Sequence, residues 1–318
     1  MKTFDVMLDE YLELRRGLGF KLKSAEPRLR GFVAFLSEKK VSRITTALAL
    51  QFACAKCAPG TQRSRLSAIR GFAHYLVGMD FAAEVPPPGL LGRYNRPHPY
   101  IYTDRQVEQL LALAWNLPAP AWHAGSRDLR RWTLYTLIGL LAATGMRIGE
   151  ALRLKQGDVD WNEGVIRIGE SKFLKSRLIP VHPTTLEKLR AYDRKRGCFL
   201  ITQGRGSQPW FFAASNGNAL SHQQITDDFH RILHRAGLRG LDAGRGGPRL
   251  HDLRHRFAVV TLLRWHESGK EIGKVMPILA TYLGHAHPRH TYWYLSATHE
   301  LMAAAKNRLE KRWEGGAR

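Results

Sequence analysis

The stretch Pro86-Pro87-Pro88-Gly89-Leu90-Leu91-Gly92-Arg93-Tyr94-Asn95-Arg96-Pro97-His98-Pro99 divides the chain. Five prolines in these 14 positions forbid a continuous helix, because each removes a backbone N–H and clashes with the turn before it. Arg93 and Arg96 keep the stretch basic. Residues 86–99 read as an interdomain linker; the alternative is an ordinary proline-rich surface loop.

Upstream, residues 1–85 read as a small helical domain. Phe4, Leu8, Tyr11, Leu12 and Leu14 form one apolar stripe, and Phe32, Phe35 and Leu36 another. Leu66, Ile69, Phe72, Ala73 and Leu76 form a third, at the three- and four-residue steps of an amphipathic helix. Arg63, Arg65 and Arg70 give this region a basic face.

Downstream, residues 100–318 read as mainly α with a small antiparallel β-sheet. Thr103-Asp104-Arg105-Gln106 and Ser221-His222-Gln223-Gln224 have the form of capping boxes, the second opening a helix to about Ala236. Leu134–Ala143 has the composition of a buried helix. Val165–Ile168 and Leu178–Val181 are β-type runs around a polar, basic connection that contains Lys172, Lys175 and Arg177. This predicts a β-hairpin with a charged tip. Trp210-Phe211-Phe212 suggests a further strand, and the five glycines of Gly237–Gly247 a loop. The last helix, about Thr298–Trp313, repeats Leu301, Ala305, Leu309 and Trp313 at four-residue steps.

The chain has 318 residues and a net charge of +22, a length that suggests about two domains. With 44% hydrophobic residues it has the material for real cores, so the charge is not that of a disordered tail. A foldable chain this basic points to a polyanion, nucleic acid before an anionic membrane surface. Three cysteines make no disulfide framework and suit a reducing cytoplasm. The first 20 residues carry four acidic side chains and no apolar core, so no signal peptide is expected. The longest apolar run falls short of the roughly 18 residues that span a bilayer.

Five downstream segments could carry chemistry: Ala143–Leu152 with Arg147, the hairpin tip with Lys172, His251-Asp252-Leu253-Arg254-His255, Leu283-Gly284-His285, and Thr291-Tyr292-Trp293-Tyr294. An arginine fork matches two phosphate oxygens. His251 and Arg254, three apart, would share a helix face. A dense positive pocket favours a tyrosine phenolate and stabilises a pentacoordinate transition state. Singly, each segment has a plainer reading: a salt-bridging arginine, a solvated histidine face, core tyrosines. His285, His287 and His290 could suggest zinc, but cysteine and acidic ligands are missing nearby. His251 and His255 lack the glutamate of a zincin pair, and Cys54 and Cys57 read as structural.

In order and spacing, the five together resemble the tyrosine recombinase (phage integrase) family. The resemblance covers nearly the whole chain. It implies a helical core DNA-binding domain over residues 1–85, a linker over 86–99 and a catalytic domain over 100–318. Arg147 falls on the family's first catalytic arginine, Lys172 on its hairpin lysine, His251 and Arg254 on its His-x-x-Arg box, and His285 on its late histidine. The nucleophile is expected nine positions after His285, which selects Tyr294 over Tyr292. Leu295-Ser296 and Arg256 depart from the usual pattern without removing a catalytic group. The tail resembles integrases carried on bacterial transposons.

The resemblance implies a site-specific recombinase that cleaves and rejoins DNA through a 3′-phosphotyrosyl intermediate, in integration, excision or transposition. His251 would help take the tyrosine proton. No metal or other cofactor is implied. The expected partner is double-stranded DNA with a specific recombination site, bound by a tetramer on two sites. The free protein would be a monomer or weak oligomer in the bacterial cytoplasm, with partner recombinases conceivable. The terminal helix would dock on a neighbour or on its own domain. DNA contacts are expected from Arg63, Arg65, Arg70, Arg93, Arg96, Lys175 and Arg177. The alternatives are a type IB topoisomerase-like enzyme and a catalytically silent DNA-binding regulator. An RNA-binding protein is a weaker third, without an aromatic RNA motif.

Overall fold

The computed structural model describes residues 3–92, 98–118, 127–169, 176–206, 208–240, 247–285, 287 and 289–296. The chain forms two compact units, Met1–Pro97 and His98–Arg318. Arg93, Arg96, Lys172, Lys175 and the terminal segment from Thr298 lie outside the described residues.

The first unit holds α1 (Phe4–Gly17), α2 (Ala25–Glu38), α3 (Thr46–Cys54) and α4 (Pro59–Gly78). Thr3 and Thr45 cap α1 and α3 by accepting the N–H of Val6 and Leu48, and Pro59 opens α4 at a position where no N–H is needed. The apolar stripes meet in a core that fully buries Leu8, Leu12, Phe32, Leu36, Phe72 and Leu76. Leu14, which the sequence places on the α1 stripe, is instead exposed.

The arginines of α4 hold the unit's own chain. Arg70 donates to Pro86 O at 2.6 Å and Pro87 O at 2.8 Å. Arg63 donates to Leu91 O, and Arg65 to Phe52 O and Ala55 O. Prolines lack N–H groups but keep strong acceptors. The early part of the proline-rich stretch is thereby fastened to α4.

The second unit holds α5 (Asp104–Trp115), α6 (Arg127–Thr144), the short α7 (Ile148–Ala151), β1 (Val159–Asp160), β2 (Val165–Ile168), β3 (Arg177–Pro180), α8 (Pro183–Thr202), α9 (His222–Arg235), α10 (Asp252–Glu267), α11 (Ile272–Leu283) and α12 (Arg289–Ser296). The fold is thus mainly α with a small antiparallel sheet of order β1-β2-β3, in which Ile166 faces Ile179 and Ile168 faces Arg177. The expected hairpin is β2–β3, while β1 has only two residues, too few for a periodicity. At α5 both halves of the capping box form: Gln106 N–H donates to Thr103 Oγ1, and Thr103 N–H to Gln106 Oε1.

Two local expectations change. The Ser221 hydroxyl makes no capping bond, although α9 begins at the next residue. Trp210–Phe212 is not a strand: Trp210 makes a single bridge to Lys155, and Phe211 and Phe212 are both fully buried beside Tyr192. A strand would send those two rings to opposite faces; the irregular path turns both inward.

Candidate active site

Leu134–Ala143 lies in α6, whose end is a left-handed turn at Gly145, φ +60°. Thr144 donates to Leu140 O, and Met146 N–H donates to the Thr144 hydroxyl. A Cβ on Gly145 would sit 2.5 Å from Phe257 Cδ1 of α10. The glycine therefore meets both a conformational and a spatial demand. Gly145→Ala should destabilise the protein by about 2–4 kcal/mol, read as a lowered thermal midpoint.

The next turn places Arg147 immediately before α7. Its Nη1 donates to Glu150 Oε1 at 2.9 Å and its Nη2 to Gly284 O at 2.8 Å. Glu150 is buried and also accepts two bonds from Arg177, at 3.0 and 2.8 Å. Burial alone would raise its carboxyl, but the bonds and charge of Arg177, with the backbone and side-chain hydrogen bonds of Arg147, outweigh it and bring the pKa down to about 2. Arg177 also donates to Tyr282 O at 2.7 Å, and little of its side chain reaches solvent. The guanidinium expected to contact DNA is thus engaged inside the protein.

α11 ends in a Schellman motif. His285 N–H reaches back to Ala280 O and Gly284 N–H to Thr281 O, with Gly284 at φ +66°. This exposes two successive carbonyls to guanidinium groups: Leu283 O accepts from Arg254 Nη2 at 2.6 Å, and Gly284 O accepts from Arg147. Arg254 Nη1 donates to Gly145 O at 2.8 Å. Both arginines are therefore set by backbone. Burial, and then the nearby charge of Arg147, lower the Arg254 pKa to about 10, which leaves it cationic at neutral pH.

His285 Nδ1 lies 2.7 Å from the hydroxyl of the fully buried Thr291. Burial and the charges of Arg254 and Arg147 push its pKa down to about 3, so its imidazole is neutral. Tyr294 packs between α10 and α11 in a small cluster with Leu262, Met276, Leu279 and Leu283. It is 2% exposed, whereas Tyr292 is 46% exposed. The Tyr294 hydroxyl lies 3.2 Å from Nδ1 of His255.

His251 precedes α10 and is exposed, while Arg254 is buried, so the two do not share one environment as their spacing suggested. His255 lies one turn into α10, buried, with its ring 4.8 Å edge-on from that of His251. Sequence reasoning treated it as one residue of a histidine face; its step of four from His251 was the available signal. Arg147, Arg254 and His285 are brought together, with His255 holding Tyr294. No group of three or more potential metal ligands occurs among the described residues.

The phage integrase family pattern matches residues 102–300. The chain is 42% identical over 317 residues to the integrase/recombinase y4rB of Sinorhizobium fredii, covering 99% of both proteins. It is 31% identical to the tyrosine recombinase XerC of Herpetosiphon aurantiacus, covering 87% of this chain and 84% of XerC. Its fold is similar to that of the Tn1549 transposon integrase, solved with a circular intermediate DNA. That likeness has a TM-score of 0.64 and 16% identity, covering 96% of this chain and 99% of the other.

Proposed function

The chain belongs to the phage integrase family of site-specific tyrosine recombinases, and from that premise we propose that Tyr294 attacks a DNA phosphate to form a 3′-phosphotyrosyl bond. Arg147 and Arg254 hold the non-bridging oxygens, where negative charge builds in the transition state. The observation that carries this reading is their shared anchorage: carbonyls of adjacent residues, Leu283 and Gly284, seat both cations at the end of α11. His285, neutral and tied to Thr291, supplies a hydrogen bond to the phosphate. His251 joins from the exposed N-terminus of α10, where the helix dipole favours an anion. Lys172 protonates the departing 5′-oxygen. The partner strand's 5′-hydroxyl then attacks the phosphotyrosine and rejoins the DNA. Bond energy is retained in the protein–DNA link, so no nucleotide is consumed.

The substrate is double-stranded DNA with a specific recombination site, gripped by residues 1–85 and 100–318 with the linker between them. Two sites with two exchanging strands each call for a tetramer. Likeness to y4rB and to a transposon integrase supports a role in moving mobile DNA.

The test is covalent capture from a randomised library of nicked suicide duplexes. Trapped DNA is sequenced and the adduct peptide mapped by mass spectrometry. An adduct on Tyr294 with an enriched sequence is expected. Adducts on Tyr292, or no adduct from the whole library, would overturn the assignment.

A further inference from the structure

We propose that His255, and not His251, takes the proton that Tyr294 loses on attacking DNA. This inference rests on Tyr294 being the nucleophile. The two side chains already meet: His255 Nδ1 lies 3.2 Å from the Tyr294 hydroxyl, and both residues are 2% exposed. A base in hydrogen-bond reach of the hydroxyl meets the geometric requirement for proton transfer. Burial removes competing water from the contact.

A carboxylate stands near the other ring nitrogen of His255. Asp252 Oδ1 lies 3.9 Å from His255 Nε2, the ring nitrogen that does not meet the tyrosine hydroxyl. That is an electrostatic contact rather than a hydrogen bond. Asp252 is fully buried and held in place by the backbone N–H of Arg249 at 2.8 Å and its guanidinium at 3.2 Å. The edge-on ring of Trp293 closes another side of His255. Carboxylate, imidazole and hydroxyl thus stand in the order found in hydrolase triads, with the carboxylate acting through its charge on the protonated imidazole and without the orienting hydrogen bond of those triads. The other histidines are less suited. His285 has its Nδ1 on Thr291 and sits beside two arginines, which makes it a weak base. His251 is exposed beyond the edge of the His255 ring.

The step balances. The Tyr294 O–H bond breaks as the O–P bond forms, and the proton passes to His255 Nδ1. The P–O5′ bond breaks, and the 5′-oxygen takes a proton from the acid assigned to Lys172. On rejoining, the P–O5′ bond forms as the P–O bond to Tyr294 breaks, the attacking 5′-hydroxyl gives its proton to the group assigned to Lys172, and His255 returns its proton to the tyrosine oxygen.

The test pairs base removal with a more acidic nucleophile. His255→Asn keeps a polar atom near the Nδ1 position but cannot act as a base; His255→Gln is the second variant. Each is combined with a fluorinated tyrosine at position 294, whose phenol ionises at lower pH. The full chain is assayed on the suicide duplex best trapped by the wild type, in single turnover. His255→Asn should slow trapping by about 10²–10⁴-fold, and fluorotyrosine should recover at least a tenfold share. A packing defect would not be rescued that way. His251→Gln should lose less and gain nothing from the fluorotyrosine. Wild-type trapping by both His255 variants, or rescue confined to His251→Gln, would overturn the proposal. Should either His255 variant be trapped slowly without rescue, the proton-acceptor role is likewise refuted. If the wild-type adduct maps elsewhere than Tyr294, the underlying reading has failed instead.

Discussion

Tyr294→Phe should abolish covalent capture of DNA altogether while leaving the protein folded. The substitution deletes one oxygen and keeps the ring that packs against Leu262, Met276 and Leu279. Its structural penalty is the buried His255 Nδ1 left without its tyrosine partner, about 1–3 kcal/mol. Arg147 and Arg254 are seated by carbonyls rather than by the tyrosine, so they keep their positions. Non-covalent DNA retention should therefore persist within a few-fold of wild type. Denaturing gels read the covalent product and filter binding reads the retention. A DNA adduct that survives in Tyr294→Phe would remove Tyr294 from the chemistry, and equal loss of both readouts would refute the claim that the arginines keep their positions without the tyrosine hydroxyl.

Glu150→Ala should be the most destabilising change near the site. It would strand Arg177, already buried, and unmoor Arg147, and breaking a buried pair from one side costs about 3–5 kcal/mol. The charge itself can be titrated. Because the folded carboxyl sits at about 2 against an ordinary 4.5, its contribution of about 3 kcal/mol is complete above pH ~4.5 and disappears as pH falls toward ~2. His285 works in the same direction. Its pKa is depressed from 6.5 to about 3, so the unfolded chain takes up this proton first and stability declines as pH drops below ~6.5. Thermal midpoints measured from pH 7 to pH 3 should fall throughout, with Glu150→Gln flattening the lower part of the curve. An unchanged midpoint in Glu150→Ala would show that the ion-pair cluster is not structural.

The parts legible in the sequence are those that local chemistry repeats. The apolar stripes gave α1, α2 and α4, the Thr103 box gave α5, and two β-type runs gave the β2–β3 hairpin. What stayed hidden depends on partners distant in the chain. Glu150 stands in plain view in the Ala143–Leu152 segment. Its role, however, comes from Arg177, 27 residues away, through a hairpin whose register no pattern specifies. Arg177 has the same residue type and setting as a DNA contact, and only tertiary packing turns it inward. His251 and His255 differ by one helical turn. Which of them lies beside Tyr294 is decided by where α10 begins and where α12 packs. Arg63, Arg65 and Arg70 read as a free basic face until the carbonyls they hold are located.

The Schellman end of α11 has one more consequence. Leu283 and Gly284 are consecutive, so a single turn, with Gly284 at φ +66°, presents one carbonyl to each guanidinium group. A shift of that helix end would pull on both arginines at once, against the second holds that Gly145 O gives Arg254 and Glu150 gives Arg147. A sequence change that moves the end of α11 is therefore felt by both cations together, rather than by one of them.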